Sequence, residues 1–234
     1  MFFFQYARRR PARFKSMVLG GVRKALGPDY DLAHFKPRYN PWDQRLCLVP
    51  DGDLFKSIRE KRASVVTAEI DRFVEGGIRL KDGNELKADI VVTATGLVLQ
   101  MVGGMEVLVD GSKVDLAKTM NYKGMMYSDV PNLVSVFGYT NASWTLKCDL
   151  TCEYVCRVLN YMDRRGYKQC MPHNIDPSIE PLPVLEFSSG YVQRALATLP
   201  KQGSKRPWRL YQNYVLDLVT LRLGKVDDGV MKYS

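Results

Sequence analysis

Asp89-Ile90-Val91-Val92-Thr93-Ala94-Thr95-Gly96 is the stretch of sequence that decides the fold. Its β-branched run ends in small residues and a glycine, a composition typical of a fully buried strand in a parallel sheet. An end without bulk lets a backbone or a cofactor approach closely. In doubly wound α/β folds, ligands bind beyond the carboxyl ends of such strands. No G-x-G-x-x-G occurs in the chain, so the strand end lacks the phosphate-binding turn that usually accompanies it.

A second stretch repeats this pattern further along the chain. Residues 131–138 predict another buried strand that ends in glycine, and a helix follows it. Asn141 or Ser143 is the predicted N-cap, and the helix is expected to run to Arg165, with Gly166 capping its far end. A helix N-terminus is a ready site for anions and carbonyls, because its first amides lack partners.

The remaining elements follow from apolar periodicity and turn residues. Further strands are predicted at 46–50, 64–67, 70–74, 78–80 and 107–109, and further helices at 54–61, 189–199 and 208–224. Asp82-Gly83 supplies a hairpin turn. Residues 120–126 predict a polar, methionine-rich loop. The proline-rich stretch 35–45 predicts an ordered loop, whose aromatic and arginine content suits a ligand surface.

The N-terminal segment, residues 1–26, predicts a helix that Pro11 interrupts or kinks. It contains seven arginines and lysines and no acidic residue. One interpretation is a basic amphipathic helix in peripheral contact with an anionic membrane, or a targeting segment. The other is an internal helix of a longer protein, with its arginines in water. Three phenylalanines directly after Met1 favour the internal helix.

Composition limits the remaining function classes. The 234 residues suffice for one large domain or two small ones. Removing the seven charges of residues 1–26 from the net charge of +9 leaves +2 for the other 208 residues, so a nucleic-acid-binding function is not indicated. No apolar run approaches the roughly 20 residues of a membrane span. The cysteines follow no secretory signal, so we expect a cytoplasmic protein.

Three of the five cysteines, Cys148, Cys152 and Cys156, recur at helical spacing. Thiolates on one helix face could bind a metal. However, the three span more of the helix than one ion can gather, and both histidines are distant in sequence. We therefore expect no metal site and interpret these cysteines as small, buried apolar residues.

Several motifs together resemble the C-terminal half of the flavin-containing monooxygenases of the Baeyer–Villiger type (class B), most closely the actinobacterial ethionamide-activating monooxygenases. The motifs that carry the resemblance are residues 37–47, 89–96, 122–126, 138–147, 201–204 and 207–210. The resemblance covers nearly the whole chain, and its long runs make it specific.

The resemblance implies an α/β flavoprotein with two dinucleotide-binding domains, here without the N-terminal Rossmann units. Residues 1–35 would be the basic helical segment, 36–94 the C-terminal part of the NADPH-binding domain, 95–170 the C-terminal part of the FAD-binding domain, and 171–234 an extended and helical tail. Thr95-Gly96 would be the crossover where the flavin domain resumes after its nicotinamide insert.

The resemblance also implies roles for individual residues. Arg45 falls where such enzymes keep an arginine beside the flavin, and a guanidinium there would stabilise the anionic peroxyflavin. The alternative is a surface arginine paired with Asp43. Cofactor-binding positions are implied at Gln44, Thr95, Gly96, Asn141, Ser143, Trp144, Thr145 and Leu146. Trp42 and Trp144 could line a substrate pocket, or belong to the core, and Tyr139 is a further implied pocket position.

An intact member of the family would pass a hydride from NADPH to FAD and use O₂ to oxygenate a small molecule. Its substrate would be a ketone, a sulfide or a thioamide-like compound. The flavin fingerprint, the Baeyer–Villiger signature and the nicotinamide fingerprint are absent from this sequence, so we expect a truncated chain that is not active alone. Two alternatives stay open: a non-catalytic remnant or membrane-peripheral interaction module, and one half of a split monooxygenase whose N-terminal half is a separate chain.

Overall fold

The computed structural model describes residues 2–234 and shows a mixed α/β protein with small sheets. The chain divides into two compact units. We call residues 2–97 the N-terminal unit and residues 98–234 the C-terminal unit, and we describe each by itself.

The elements, in chain order, have these bounds. The α-helices in residues 2–234 are α1 (Phe2–Arg9), α2 (Pro11–Leu26), α3 (Asp53–Arg59), α4 (Trp144–Arg165), α5 (Gly190–Ala195) and α6 (Tyr214–Asp217). The strands are β1 (Ile70–Val74), β2 (Gly77–Leu80), β3 (Glu85–Lys87), β4 (Leu108–Val109), β5 (Ser112–Lys113), β6 (Asn121–Tyr122), β7 (Met126–Tyr127), β8 (Cys170–Pro172), β9 (Pro181–Pro183), β10 (Lys201–Gly203) and β11 (Met231–Tyr233). Short 3₁₀ turns cover Leu32–Phe35, Pro50–Gly52, Met101–Gly104 and Leu116–Lys118, and a π-helical turn covers Leu218–Leu223.

The N-terminal unit begins with the predicted helix, which is broken as expected. Arg10 leaves helical geometry between α1 and α2, and Pro11 takes the first position of α2, where its missing N–H is harmless. Val22 and Leu26 of α2 are buried against Ile58 of α3. The apolar stripe is therefore partly covered by protein within the N-terminal unit. Among residues 2–234, no helix is long and apolar enough to cross a bilayer.

The predicted hairpin is confirmed as an antiparallel sheet in the order β1-β2-β3. A turn through Asp82-Gly83 joins β2 to β3. Gly77 begins β2 at a φ of 145°, and a Cβ atom there would lie only 2.0 Å from the Leu86 carbonyl oxygen. Glycine is therefore required where β2 starts beside β3.

The C-terminal unit has the larger core, built around α4. The buried residues of α4 that face it include Leu150, Tyr154, Val158 and Met162, at four-residue spacing. Ser143 takes the N-cap position and Gly166 ends the helix in the left-handed conformation at a φ of 74°. The predicted start and end of this helix are therefore confirmed.

The prediction of a polar loop at residues 120–126 was wrong. Strands β6 and β7 pair there, and the side chains of Tyr122, Met125 and Met126 are almost completely buried in the core. The segment's asparagine and lysine suggested exposure, but the backbone pairs locally and the methionines fill the space beside Trp208.

The two tail helices are shorter than predicted. The helix expected at 189–199 is α5, Gly190–Ala195. The helix expected at 208–224 begins only at Tyr214, after which α6 continues into the π-helical turn. Trp208 is instead a fully buried, non-helical core residue, so tertiary packing overrides the local pattern.

The predicted short strand at residues 46–50 and the predicted buried strands at residues 64–67, 89–96 and 131–138 were wrong for this chain. Residues 46–50, 64–67, 89–96 and 131–138 contain no paired strand, and every ladder between strands β1–β11 is antiparallel. Ile90, Val92 and Val98 are 82%, 83% and 86% exposed. A parallel strand needs neighbouring strands to bond its backbone, and residues 2–234 offer these runs none.

The interpretation of the three helical cysteines as buried was also wrong. Cys152 and Cys156 are exposed, and Cys148 is half-buried. Among residues 2–234, no three histidine, cysteine or acidic side chains come together as a metal site.

Candidate functional site

The predicted site residues fall into two groups. Trp42, Gln44, Arg45, Thr95 and Gly96 belong to the N-terminal unit. The C-terminal unit holds the other six, which are Tyr139, Asn141, Ser143, Trp144, Thr145 and Leu146. The residues of the second group lie together at the start of α4. In the first group, Gln44 and Arg45 lie in the same loop as Trp42, and Thr95 and Gly96 lie in a separate segment of the chain.

The N-terminus of α4 presents hydroxyl groups and backbone amides to solvent. Ser143 and Thr145 are exposed, and their hydroxyls bond each other at 2.9 Å. The Ser143 side chain caps no backbone amide. The first turn contains no acidic residue, so the positive end of the helix dipole is not neutralised locally.

A glutamine from the tail fixes the turn that leads into α4. The Gln212 side-chain oxygen accepts hydrogen bonds from the Thr140 backbone amide at 3.0 Å and from the Thr140 hydroxyl at 3.2 Å. The Asn141 side-chain amide donates to the Gln212 backbone carbonyl at 3.0 Å. The other side-chain atom of Asn141, Oδ1, is buried without a partner among residues 2–234. A buried acceptor of this kind is costly unless a ligand or water satisfies it.

Trp144 and Gly138 pack closely before the helix starts. A Cβ atom on Gly138 would lie 2.3 Å from Cγ of Trp144 and 2.6 Å from its Cα atom. The Trp144 ring also lies 5.0 Å from that of Phe137, centroid to centroid. Trp144 is 43% exposed. Because Gly138 has no side chain, the Trp144 indole can lie against the backbone at the point where α4 begins.

Tyr139 belongs to a buried charge cluster. Its hydroxyl donates to Asp217 at 2.7 Å, and Lys147 Nζ lies 3.1 Å from the same carboxylate oxygen. Burial and the Asp217 hydrogen bond raise the pKa of Tyr139. Burial lowers the pKa of Lys147, and the attraction of Asp217 only partly offsets this. Tyr139 thus anchors the tail to the start of α4 through its hydroxyl.

A second buried pair lies in the same unit. Lys123 Nζ is 2.9 Å from Asp228 and donates to the Tyr154 hydroxyl at 3.0 Å. Tyr122 donates to Asp228 at 2.6 Å. Burial alone would raise the pKa of Asp228, but the Lys123 charge and the hydrogen bonds from Tyr122 and Lys123 hold it below its ordinary value of 3.8. The two pairs tie the tail to the core.

Sequence reasoning missed both lysine–aspartate pairs. Each aspartate is far from its lysine along the chain, so no local spacing reveals the contact. One signal was available for Lys147. It precedes Leu150, Tyr154 and Val158 on the buried side of α4, where an unpaired charge would not be tolerated.

In the N-terminal unit, the loop around Trp42 is tightly built. The Asp43 amide donates to the Asn40 carbonyl at 3.1 Å, and an Asp43 carboxylate oxygen accepts from the Asn40 amide at 3.1 Å. Trp42 has a φ of 70°, which is a strained conformation for a bulky residue. Its ring packs edge-on against Phe4, with centroids 5.2 Å apart. Its indole nitrogen is buried without a hydrogen-bond partner among residues 2–234.

Arg45 does not pair with Asp43. The Arg8 guanidinium takes that carboxylate at 3.0 Å. The Arg45 side chain is exposed and forms no hydrogen bond or ion pair within residues 2–234. Its neighbour Gln44 is half-buried and joins Pro41 in an isolated bridge. The guanidinium of Arg45 is therefore available to a ligand.

Thr95 and Gly96 are exposed and lie in a segment without regular secondary structure, with Gly96 at a φ of 123°.

A shallow groove also lies in the N-terminal unit. Its lining includes Tyr30, His34 and Arg62 but none of the predicted site residues.

Known proteins similar to this chain are monooxygenases. FAD-containing monooxygenase EthA of Mycobacterium tuberculosis (strain H37Rv) is 52% identical over 225 residues, which are 96% of this chain and 46% of EthA. EthA of Mycolicibacterium smegmatis is 49% identical over 232 residues, 99% of this chain and 47% of that protein. This chain is homologous to the C-terminal half of the FAD-containing monooxygenases. These relatives are of the kind that the motifs resemble.

The similarity extends beyond the mycobacterial proteins. "Probable FAD-binding monooxygenase AlmA" of Acinetobacter baylyi is 45% identical over 232 residues, 99% of this chain and 47% of AlmA. No family model matches the chain. The chain spans about half the length of the curated relatives it matches. The names of these relatives describe flavin-dependent oxidoreductases.

Proposed function

We propose that this chain supplies the C-terminal half of an FAD- and NADPH-dependent monooxygenase. The reaction would place one oxygen atom of O₂ in a ketone, a sulfide or a thioamide-like substrate and release the other as water, with NADPH supplying two electrons. The observation that carries the proposal is the 45–52% identity to FAD-containing or FAD-binding monooxygenases over at least 96% of this chain. NADPH dependence and Baeyer–Villiger chemistry rest on the motif resemblance.

The groups at the start of α4 fit the polar edge of a flavin ring. That edge presents both hydrogen-bond donors and acceptors. The α4 amides and the Ser143 and Thr145 hydroxyls can donate, and the unpartnered Oδ1 of Asn141 can accept. Bound FAD would supply the electron-carrying and oxygen-activating chemistry. The α4 N-terminus would favour negative charge on the reduced ring.

The remainder of a flavin site is not in this sequence. No G-x-G-x-x-G turn is present to hold a pyrophosphate. We therefore propose that residues 95–170 complete an FAD-binding domain and residues 36–94 an NADPH-binding domain, within a fold of two dinucleotide-binding domains. On this proposal, Thr95-Gly96 crosses from one domain to the other, and Trp144 and Leu146 lie beside the cofactor.

Arg45 is the proposed catalytic residue. Its exposed guanidinium has no competing carboxylate, because Asp43 is bound by Arg8. It would hold the negative charge that develops during oxygen transfer and would position the nicotinamide. Gln44 would support cofactor binding, and Trp42, held in its strained turn, would contact the substrate.

Complementation tests the proposal directly. The chain is produced with the N-terminal half of M. tuberculosis EthA, and the purified material is examined for flavin absorbance and for substrate-dependent NADPH oxidation. We expect both to appear together and neither with the chain alone. Arg45→Ala should abolish oxygenation while flavin stays bound, and Arg38→Ala serves as a matched control in the same loop. Unchanged product formation in Arg45→Ala would refute the role of Arg45.

The alternatives predict different outcomes. A non-catalytic remnant would give a colourless, inactive mixture even when both halves are folded and present. A chain that binds FAD and oxidises NADPH alone would show that the second half is not needed, and the proposal of a dependent half would then be wrong.

A further inference from the structure

We infer that Gln212 is a positioning residue of the proposed flavin site. On this inference it touches no cofactor, and it acts by holding the turn that leads into α4 in the orientation in which that turn presents its polar groups to the flavin ring. We call residues 139–143 the entry turn. The inference rests on the proposed function, because that proposal takes FAD to be the ligand at the start of α4.

Three hydrogen bonds from the entry turn converge on Gln212. The backbone amide and the hydroxyl of Thr140 donate to its side-chain oxygen at 3.0 and 3.2 Å. The side-chain amide of Asn141 donates to its backbone carbonyl at 3.0 Å. Gln212 thus fixes a peptide plane, a hydroxyl group and a carboxamide on two consecutive residues of the turn.

The Gln212 carbonyl also decides which way the Asn141 carboxamide faces. Because a carbonyl oxygen can only accept, Asn141 must turn its NH₂ group toward Gln212 and its oxygen, Oδ1, away. Asn141 is 9% exposed, and Oδ1 has no partner among residues 2–234. A buried acceptor that is held without a donor is unfavourable. The bond to Gln212 therefore keeps in place an acceptor that the described part of the chain leaves free for a ligand.

The backbone of Gln212 is in an unusual conformation. Its φ is 50°, in the left-handed region that residues other than glycine seldom adopt. Strain of this kind persists where the surrounding contacts impose it, and it is concentrated at functional sites. Directly after Gln212, Asn213 caps α6 by accepting a hydrogen bond from the Leu216 amide at 3.2 Å. The contacts on both sides of Gln212 therefore hold its backbone in this conformation.

Attachment of the tail to the core does not by itself require Gln212. Asp217 already ties the tail to the entry turn and to α4, through Tyr139 and Lys147. The Gln212 bonds are additional, and they lie closer to the N-cap Ser143. They fix the direction from which the chain enters α4, and with it the positions of the first helix amides. Donors in a binding site have to be held to within about 0.5 Å, and Gln212 supplies this precision.

Amide hydrogen exchange of the chain alone tests whether Gln212 holds the entry turn. The exchange rate of the Thr140 amide is measured by NMR in the wild type and in three variants. Gln212→Leu and Gln212→Gly remove the side-chain acceptor, and Gln212→Glu keeps an acceptor oxygen. We expect exchange about tenfold faster in the first two, the effect of one lost hydrogen bond, and the wild-type rate in Gln212→Glu. Because glycine adopts a positive φ without strain, Gln212→Gly separates a lost bond from a misfolded chain.

Gln193→Leu is the matched control. Gln193 is an exposed glutamine of the same unit, and its side-chain amide donates to the Phe187 carbonyl, outside the entry turn. Its substitution should leave the exchange of the Thr140 amide unchanged. Wild-type exchange in both Gln212→Leu and Gln212→Gly would overturn the inference.

FAD affinity tests whether the turn that Gln212 holds serves the flavin. The chain is mixed with the N-terminal half of M. tuberculosis EthA, and FAD binding is titrated by flavin fluorescence, without NADPH or substrate. Gln212→Leu should raise the dissociation constant about tenfold, because the groups that face the ring are no longer fixed. Gln212→Glu restores the acceptor and should recover the affinity, and Gln193→Leu should leave it unchanged.

The remaining outcomes separate this inference from the proposed function. FAD binding that is tight in the wild-type mixture and unchanged in Gln212→Leu would overturn the inference and leave the proposed function standing. A loss of affinity in Gln212→Leu that Gln212→Glu does not recover would assign the effect to packing and overturn the inference as well. A wild-type mixture that binds no FAD would refute the proposed function. Faster exchange of the Thr140 amide would then show a bond that serves the fold alone, and the inference would fail with the proposed function.

Discussion

The buried pair of Lys147 and Asp217 leads to an asymmetric prediction about stability. The Lys147 side chain is 8% exposed and that of Asp217 is 17% exposed, and their charged atoms lie 3.1 Å apart. Gross attraction at that distance is about 5 kcal/mol at an effective dielectric constant of about 20. Burial nevertheless lowers the pKa of Lys147. The attraction to Asp217 therefore does not fully offset the free energy of hydration that the lysine loses.

The two single substitutions should therefore differ. Asp217→Asn leaves the deeper charge unpaired, and removal of one partner from a buried pair costs about 3–5 kcal/mol. We take about 3 kcal/mol, because Asp217 retains some contact with water. Lys147→Met keeps the side-chain volume and removes the charged group whose burial costs the most desolvation free energy. We therefore expect it to destabilise the protein by only about 1 kcal/mol. The double variant should resemble Lys147→Met, so that Lys147→Met rescues Asp217→Asn by about 2 kcal/mol.

Urea unfolding at pH 7, followed by circular dichroism at the helical band, measures these differences. With a slope near 2 kcal/mol per molar urea, Asp217→Asn should lower the midpoint by about 1.5 M. Parallel slopes are required before the midpoints are compared. Single variants that differ by less than about 0.5 kcal/mol, or a double variant whose loss equals the sum of both, would refute the reasoning.

Two further predictions concern acid stability and close packing. The pKa of Asp228 is depressed in the folded state, so its contribution to stability is complete above the ordinary value of 3.8 and is lost as pH falls through the lower folded value. Asp228→Asn should flatten the loss of unfolding free energy below about pH 4, and an unchanged pH profile would contradict this origin. Gly203→Ala should destabilise by about 1–3 kcal/mol, because its Cβ atom would lie 2.6 Å from atoms of Ile179 and Trp208. Gly20→Ala, in the open interior of α2, should instead stabilise by about 0.5–1 kcal/mol, and equal effects on thermal midpoints would count against the packing argument.

The elements that sequence reasoning predicted correctly are those with local causes. Pro11 breaks the first helix, Asp82-Gly83 turns the hairpin, and Gly166 ends α4, each through the conformation of one or two residues. The buried strand at residues 89–96 failed for the opposite reason, because a parallel strand forms only with neighbours that residues 2–234 do not contain.

The same distinction, between local causes and contacts distant in sequence, applies to the candidate site. Ser143 at the start of α4 follows from turn and capping preferences, so its place could be predicted. Gln212 and Asp217 could not be, because they reach Thr140 and Tyr139 across more than 70 residues of sequence. The motif resemblance placed Arg45 in a ligand-facing loop, but only the structure shows that Arg8 holds Asp43 and leaves Arg45 available.

The exposed run at residues 89–98 bears on the lifetime of the chain in a cell. Ile90 and Val92 belong to an uncharged β-branched window without proline, the kind of segment that stacks into cross-β aggregates and that chaperones and proteases engage when it is not paired. While this run stays unpaired, it is a segment of the chain that chaperones and proteases can engage, so it would shorten the lifetime of the chain.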